Sequence, residues 1–248
     1  MLVHLKPSPV VARVMTGTVV LHDDPEAWLS REVAVLSFLA PSGMAVAPSP
    51  LIAPGPSRTD GLWMTFWEWV EDAGRTEPDD AERLGIALRS LHEALADFSG
   101  SLAEMTDLQR DIERLRRQLR PSETLSAEKV DSLGERLAAL TASVFESSLP
   151  TQALHGDASL FNLLSTPDGP LWNDFEDTFR GPVHWDLAGY LMSLEYAGGD
   201  SAFVQRALGA YGSVDRQELA PFVEAHEVYD EIWGLYDAQR RGGNRPGG

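Results

Sequence analysis

The sequence contains no cysteine. Disulfides, thiolate zinc sites and cysteine nucleophiles are thereby excluded, and the absence fits a reducing cytoplasm. No apolar run approaches the ~20 residues that a membrane-spanning helix needs. The opening Met1-Leu2-Val3-His4-Leu5-Lys6 lacks the apolar stretch of a secretory signal. Positive charge is scarce: 20 Lys and Arg stand against 38 Asp and Glu, a net charge of −18. Such a field repels nucleic acid and anionic membranes and draws cations. Its first effect is solubility, and it mildly favours a cationic ligand. There is no internal repeat. What remains is ordinary globular composition, 43% hydrophobic and 23% charged over 248 residues. That is enough chain for a core without staples, in one large domain or two small lobes.

The hydrophobic pattern divides the chain. Pro9 to Met15 is β-branched and apolar and reads as a strand, with Thr16-Gly17-Thr18 as a turn. Asp24-Pro25 reads as an N-cap followed by a helix's first residue. Trp28, Leu29, Val33, Leu36 and Leu39 then recur at helical spacing until Pro41-Ser42-Gly43. Residues 44–60 read mostly as loop, and Leu62 to Val70 as a strand broken by Glu71-Asp72-Ala73-Gly74. Helices are expected over about 79–98, 102–119 and 127–147. The arginines at 110, 114, 116, 117 and 120 are expected to form a solvated face on the second. Thr166-Pro167-Asp168-Gly169 lies between two apolar runs and predicts a hairpin over 160–175. Helices at about 183–197, 200–211 and 216–240 follow, then a frayed Gly- and Arg-rich tail.

The chemistry-bearing stretch is Leu154-His155-Gly156-Asp157-Ala158-Ser159-Leu160-Phe161-Asn162, followed by Asp174-Phe175. Phosphoryl transfer needs a carboxylate to orient the attacking hydroxyl and oxygen ligands for Mg²⁺ on the phosphates. An Asp and an Asn five apart, with a second Asp at the far end of a hairpin, can supply these. An ATP site in so acidic a chain also needs local positive charge.

His-Gly-Asp, an Asn five residues after that Asp, then a short hairpin ending in Asp-Phe resembles the catalytic core of the aminoglycoside phosphotransferase and choline-kinase-like family. The resemblance implies an α+β, protein-kinase-like fold with ATP between two lobes. A small β-rich N-lobe would occupy 1–72 and a larger helical C-lobe 73–248. It implies that Asp157 is the catalytic base and that Asn162 and Asp174 ligate Mg²⁺. His155 would brace the catalytic loop, and Asp186 in His184-Trp185-Asp186-Leu187-Ala188 would anchor it. Val10-Val11-Ala12-Arg13 resembles the strand that ends in the family's ATP-binding Lys, with Glu32 as its partner. Leu62 to Val70 is similar to the strand and hinge between lobes. Backbone groups of about Trp67 to Trp69 would meet the adenine edge, while their side chains suit lobe packing equally well. Leu84-Gly85-x-x-Leu88-x-x-Leu91-His92 matches the first C-lobe helix, with His92 in a structural role.

Two features depart from the family. Arg13 stands where Lys is usual, and a planar fork does not replace a point charge conservatively. Only Met1 to Ser8 precede that strand, without a glycine. The first strand and the turn over the phosphates are therefore expected to be missing, through truncation or a pared-down lobe. Nucleotide is expected to bind weakly, with Arg13 carrying much of the phosphate contact. The implied activity is ATP-dependent phosphorylation of a hydroxyl on a small molecule, a cationic aminoglycoside or amino sugar among the candidates. Glu176, Asp177, Glu224, Glu227, Asp230 and Glu231 are candidates to grip it. The alternative is a pseudokinase or nucleotide-binding module without efficient catalysis. Retention of Asp157, Asn162 and Asp174 together argues for the enzyme.

Overall fold

The computed structural model describes residues 1–16, 22–74, 80–122 and 125–243. Strand β1 (Leu2–His4) pairs antiparallel with β2 (Val10–Val14), placing Leu2 opposite Arg13. A strand thus precedes the Arg13 strand, where none was expected: Val3 falls opposite Ala12 and His4 opposite Val11, so the short segment closes a hairpin. Val10, Ala12 and Val14 of β2 point into the core, leaving Val11 and Arg13 on the cleft face. Helix α1 (Pro25–Leu39) begins as its sequence dictates: the Asp24 carboxylate accepts the Ala27 N–H at 3.0 Å, and Pro25 needs no donor partner. Gly43 then turns the chain at a positive φ.

Strand β3 (Ser57–Thr59) forms within the segment expected to be loop, paired with β4 (Leu62–Glu68). Asp60 and Gly61 both have positive φ, which makes the tight hairpin turn that Asp-Gly favours. The polar strand carried no apolar alternation, so only that dipeptide signalled it. The four strands lie in the order β1-β2-β4-β3.

The helical part begins with α2 (Ala81–Leu95). A two-residue strand β5 (Ala103–Glu104) leads into α3 (Met105–Gln118), and α4 (Ala127–Ala139) follows. The helix expected to run to 147 ends at Ala139 and gives way to a single wide turn, Thr141–Phe145. Then come β6 (Gln152–Ala153), β7 (Leu163–Thr166), β8 (Gly169–Trp172) and β9 (Phe179–Gly181). Strands β7 and β8 form the expected hairpin, with Thr166 opposite Gly169. Leu160–Asn162, expected within the strand, is a single tight helical turn. Strands β5, β9 and β6 make a small sheet that two- and three-residue pieces could not announce by periodicity. Helices α5 (His184–Tyr196), α6 (Ser201–Tyr211) and α7 (Arg216–Gly243) complete the chain. The arginines of α3 mostly pair within the helix, Arg110 with Asp107 and Arg116 with Glu113. The turn at Gly17-Thr18, the expected helix start at Asp79 and the tail beyond Gly243 lie outside the described residues.

One core runs through both parts. Leu84, Leu88, Leu91 and Leu95 of α2 pack in the same cluster as Trp172, Trp185, Tyr190 and Phe222, and that cluster continues into Val35, Leu36 and Trp67. Among the described residues, no helix is long and apolar enough to cross a membrane. Helices α2 and α6 come close at Gly85, where a Cβ would run into the Ala207 carbonyl oxygen. Helix propensity favours Ala over Gly by about 1 kcal/mol, whereas forcing packed elements apart costs about 1–3 kcal/mol. Because the obstacle is backbone, the second effect should win. Gly85→Ala is expected to lower stability by about 1 kcal/mol in chemical denaturation, and a higher unfolding midpoint would refute this packing account.

Candidate active site

The segment from Leu154 to Asn162 is shaped from beneath by one carboxylate. Asp186, in the first turn of α5 and fully buried, accepts the His155 N–H at 2.8 Å on Oδ2 and the Gly156 N–H at 2.9 Å on Oδ1. His92 Nε2 lies 3.1 Å from the same Oδ2. Burial works against the Asp186 charge, but the His92 and His155 contacts outweigh it and hold the group below the usual carboxylate range. Gly156 has a φ of +91°, and a Cβ there would collide with the Asp177 carbonyl oxygen. No other residue fits this crossing. His155 is buried, its Nε2–H donates to the Asn173 carbonyl at 2.9 Å, and its Nδ1 faces the Asp157 N–H at 3.4 Å. Burial lowers its pKa, so it serves as a neutral tie between loop and hairpin.

Asn162 donates from Nδ2 to both the Asp157 carbonyl, at 2.9 Å, and Asp157 Oδ2, at 2.8 Å. The Asn162 carbonyl in turn accepts the Asn173 N–H at 3.0 Å, which brings the end of the hairpin alongside. Asp174 adopts a left-handed φ of 64°, a conformation that Asp tolerates better than most residues and that is often found where function sets the geometry. Its Oδ1 accepts from Arg13 Nη2 at 2.5 Å, while Arg13 Nη1 donates to Glu32 Oε1 at 2.6 Å. Glu176 Oε2 also sits 2.6 Å from Arg13 Nη2, yet has no hydrogen-bond partner. Arg13 thus faces three carboxylates. Burial opposes its charge, but Glu32, Glu176 and Asp174 prevail and raise its pKa.

Two cavities meet at Glu176. One, of about 670 Å³, is bordered by Arg13, Glu32, Trp67, Trp69 and Asp174. The other, of about 300 Å³, is bordered by Asp157, Asp177, Asp230 and the aromatic side chains of Trp28, Tyr229 and Trp233. Trp67 is buried and donates its Nε1–H to Thr65, while Trp69 stacks on His4 at 4.9 Å. The Glu68 and Trp69 amides are already bonded, to the Ala47 and Pro9 carbonyls.

A family model, that of the phosphotransferase enzyme family, matches residues 9–222. The chain belongs to that family. Solved structures agree on the fold. The choline kinase LicA from Streptococcus pneumoniae matches with a TM-score of 0.71 at 16% identity, over 99% of this chain and 83% of its own. A choline/ethanolamine kinase family protein from Mesorhizobium loti matches at 0.65 and 16%, over 99% of this chain and 81% of its own. An aminoglycoside phosphotransferase from Streptomyces rimosus matches at 0.59 and 19%, over 89% and 87%. The expected protein-kinase-like α+β fold is therefore the fold observed.

Within this phosphotransferase, the acidic residues expected to grip a substrate divide. Glu176, Asp177 and Asp230 border the smaller cavity. Glu227 and Glu231 do not, and neither does Glu224. They lie on the α7 face toward α4, where Glu231 pairs with Lys129 at 2.5 Å, and Glu224 and Glu227 lie within 3.8 Å of Arg136. A helix turns its residues through all directions, and the sequence did not say which face met the cleft. Trp28 and Arg31, one turn apart on α1, were missed as cavity residues. Trp28 donates its indole N–H to the Glu176 carbonyl at 2.6 Å, a contact 148 residues away in sequence.

Among the described residues, no three His, Cys, Asp or Glu side chains already surround a common ion position. Asp157, Asn162 and Asp174 are nevertheless hard-oxygen donors at one junction, and Glu176 Oε2 beside them is paired with Arg13 but makes no hydrogen bond of good geometry. Mg²⁺ commonly takes only one or two carboxylates and completes its shell with phosphates and water, so the donor set fits.

Burial pushes the Glu32 carboxyl up to about 8, against the pull of Arg13, and Glu176 up to about 8 as well. Asp157 and Asp177 rise to about 7 from enclosure, but both open onto the cavity, so water screens them more. The folded state therefore holds protons that the unfolded chain releases near pH 4. That stability is complete at low pH and is lost as pH rises through the folded-state values. Below about pH 6.5, buried His226 works in the opposite sense, since burial lowers it to about 4. Between about pH 6.5 and 8.5 the carboxylates act alone. Calorimetry of the metal- and nucleotide-free enzyme should show the melting temperature falling across that range, and a rise would overturn the reading of Glu32 and Glu176.

Proposed function

We propose that this enzyme transfers the γ-phosphoryl group of ATP to a hydroxyl of a small molecule, with nucleotide in the larger cavity and acceptor in the smaller. The single observation that carries the assignment is the junction. Asp157 faces one cavity, Asp174 the other, and Glu176 borders both. Crystallised structural neighbours include an amicoumacin kinase with AMP-PNP, LicA with AMP and aminoglycoside phosphotransferases with GDP, which supports a nucleotide here.

Asp157 orients the acceptor hydroxyl and accepts its proton as the new P–O bond forms and the bond to the β-phosphate breaks. A carboxyl raised to about 7 by enclosure is well matched to that task near neutral pH. Asn162 fixes the Asp157 side chain through its amide and, with Asp174, would hold Mg²⁺. The metal, when bound, neutralises charge developing on the phosphates. Arg13 then exchanges a carboxylate for phosphate oxygens while Glu32 keeps its other edge fixed. In the nucleotide-free protein both edges of the fork are taken by carboxylates, so phosphate competes for Arg13 rather than finding it free. Trp67, Trp69 and the backbone around them border the cavity that takes the base.

Asp157→Asn is expected to reduce kcat by about 10²–10⁴-fold while leaving Mg-ATP affinity near the wild-type value. A parallel loss of nucleotide affinity in titration calorimetry would mean that the residue is misassigned. Asp174→Ala should instead abolish the Mg²⁺ dependence of nucleotide binding, since the carboxylate that would hold the metal against the phosphates is lost. A variant whose nucleotide affinity still rises with Mg²⁺ as the wild type's does would rule out that role.

A further inference from the structure

The smaller cavity contains one cation that the carboxylates around it leave unpaired. Arg114 is held by Asp111 at 2.5 Å and Asp23 at 3.4 Å. Arg31, on the same wall, has no carboxylate within ion-pairing distance among the described residues, and its Nε is buried without a hydrogen-bond partner. Enclosing a guanidinium without an anion is unfavourable unless a ligand supplies one. The local potential is positive enough to act on a neighbour. His22, stacked on Trp28 at 3.8 Å, is lowered to about 4 by burial and then by Arg31 and Arg114.

Elsewhere on the lining the imbalance is reversed. Asp177 and Asp230 border it without an ion-pair partner among the described residues. Arg31 feels the charge of Asp111 first, then of Asp24 and Asp177, but among the described residues none of the three lies within ion-pairing distance of it. A cavity of about 300 Å³ is at the small end for ligand sites. Arg31, Asp177 and Asp230 border the same cavity of about 300 Å³, so opposite charges without ion-pair partners among the described residues share one small space.

Resting on the phosphotransferase reading above, we propose that the acceptor is a small zwitterion carrying a carboxylate that Arg31 binds and an ammonium that Asp177 and Asp230 bind, with its hydroxyl at Asp157. A hydroxylated amino acid is the simplest molecule of this class. Arg suits the role because its fork meets a carboxylate with two parallel N–H···O bonds. A polycation would leave Arg31 facing like charge, which penalises it. Removing the acceptor's carboxylate would leave the guanidinium enclosed and unpaired, which discriminates strongly against such analogues.

The test uses the full chain with Mg-ATP and three matched acceptor sets. These are L-serine, L-threonine and L-homoserine; the amino alcohols ethanolamine and choline; and the hydroxy acid glycerate, with kanamycin as a polycationic comparison. Transfer to a hydroxy amino acid should exceed transfer to its amino alcohol by about 10²-fold or more in kcat/KM. Arg31→Gln should raise KM for that acceptor by about 10²-fold and erase the preference. Arg31→Lys should restore part of it, with KM for ATP unchanged in both. Amino alcohols or kanamycin phosphorylated as well as the zwitterions would overturn the proposal, as would an Arg31→Gln enzyme with unaltered preference. No transfer to any acceptor, with Mg-ATP still bound in calorimetry, would overturn the zwitterion assignment and leave the nucleotide reading standing. Absence of Mg-ATP binding would instead refute the proposed function itself.

Discussion

The buried carboxylate of Asp186 is the constraint on which the rest of the site depends. It satisfies two consecutive backbone amides, those of His155 and Gly156, and is itself steadied by His92 from α2. Two adjacent N–H groups pointing at one carboxylate fix the path of the loop, and a charge so well bonded tolerates complete burial. From that fixed loop, His155 reaches the Asn173 carbonyl and Asn162 reaches the Asp157 side chain. The position of Asp174 follows, because it is the next residue along. The chemistry-bearing side chains are half-exposed, but the groups that aim them are buried and hydrogen-bonded.

The site also concentrates acidic side chains around one arginine. Glu32, Asp174 and Glu176 converge on Arg13, and Asp157 and Asp177 stand behind them. The raised carboxyl pKa values are the signature of that crowding under burial. A magnesium-bound nucleotide brings both cation and anion, so it can exchange partners with Arg13 and offset the excess. The larger cavity lies against Arg13 and the smaller against Arg31.

Much of this was legible in the chain. His155, Asp157, Asn162 and Asp174 could be singled out because their spacing along a loop and hairpin is short and local. The Asp24-Pro25 helix start and the Pro167-Asp168-Gly169 turn follow from local backbone chemistry in the same way. Strand β1 was not legible, because three residues carry too little period to reveal pairing, and β3 had only its Asp-Gly turn as a sign. Acidic residues on α7 could be counted but not sorted, since facing α4 or facing the cavity is a matter of helix rotation.

The sequence by itself determined the local order of His155, Asp157, Asn162 and Asp174 and the alternation of strands and helices, because these rest on short-range spacing; the pairing of Arg13 with Glu32 was implied only by the family resemblance, and the structure shows it. Tertiary structure alone decided that Trp28 and Arg31 border the same cavity as Asp177 and Asp230. It also decided that Glu227 and Glu231 belong to an α4 contact, and that Glu176 stands between two cavities. These contacts join segments separated by more than a hundred residues, or turn on which side of a helix meets its neighbour. Both are set by how the core closes rather than by any local preference of the chain.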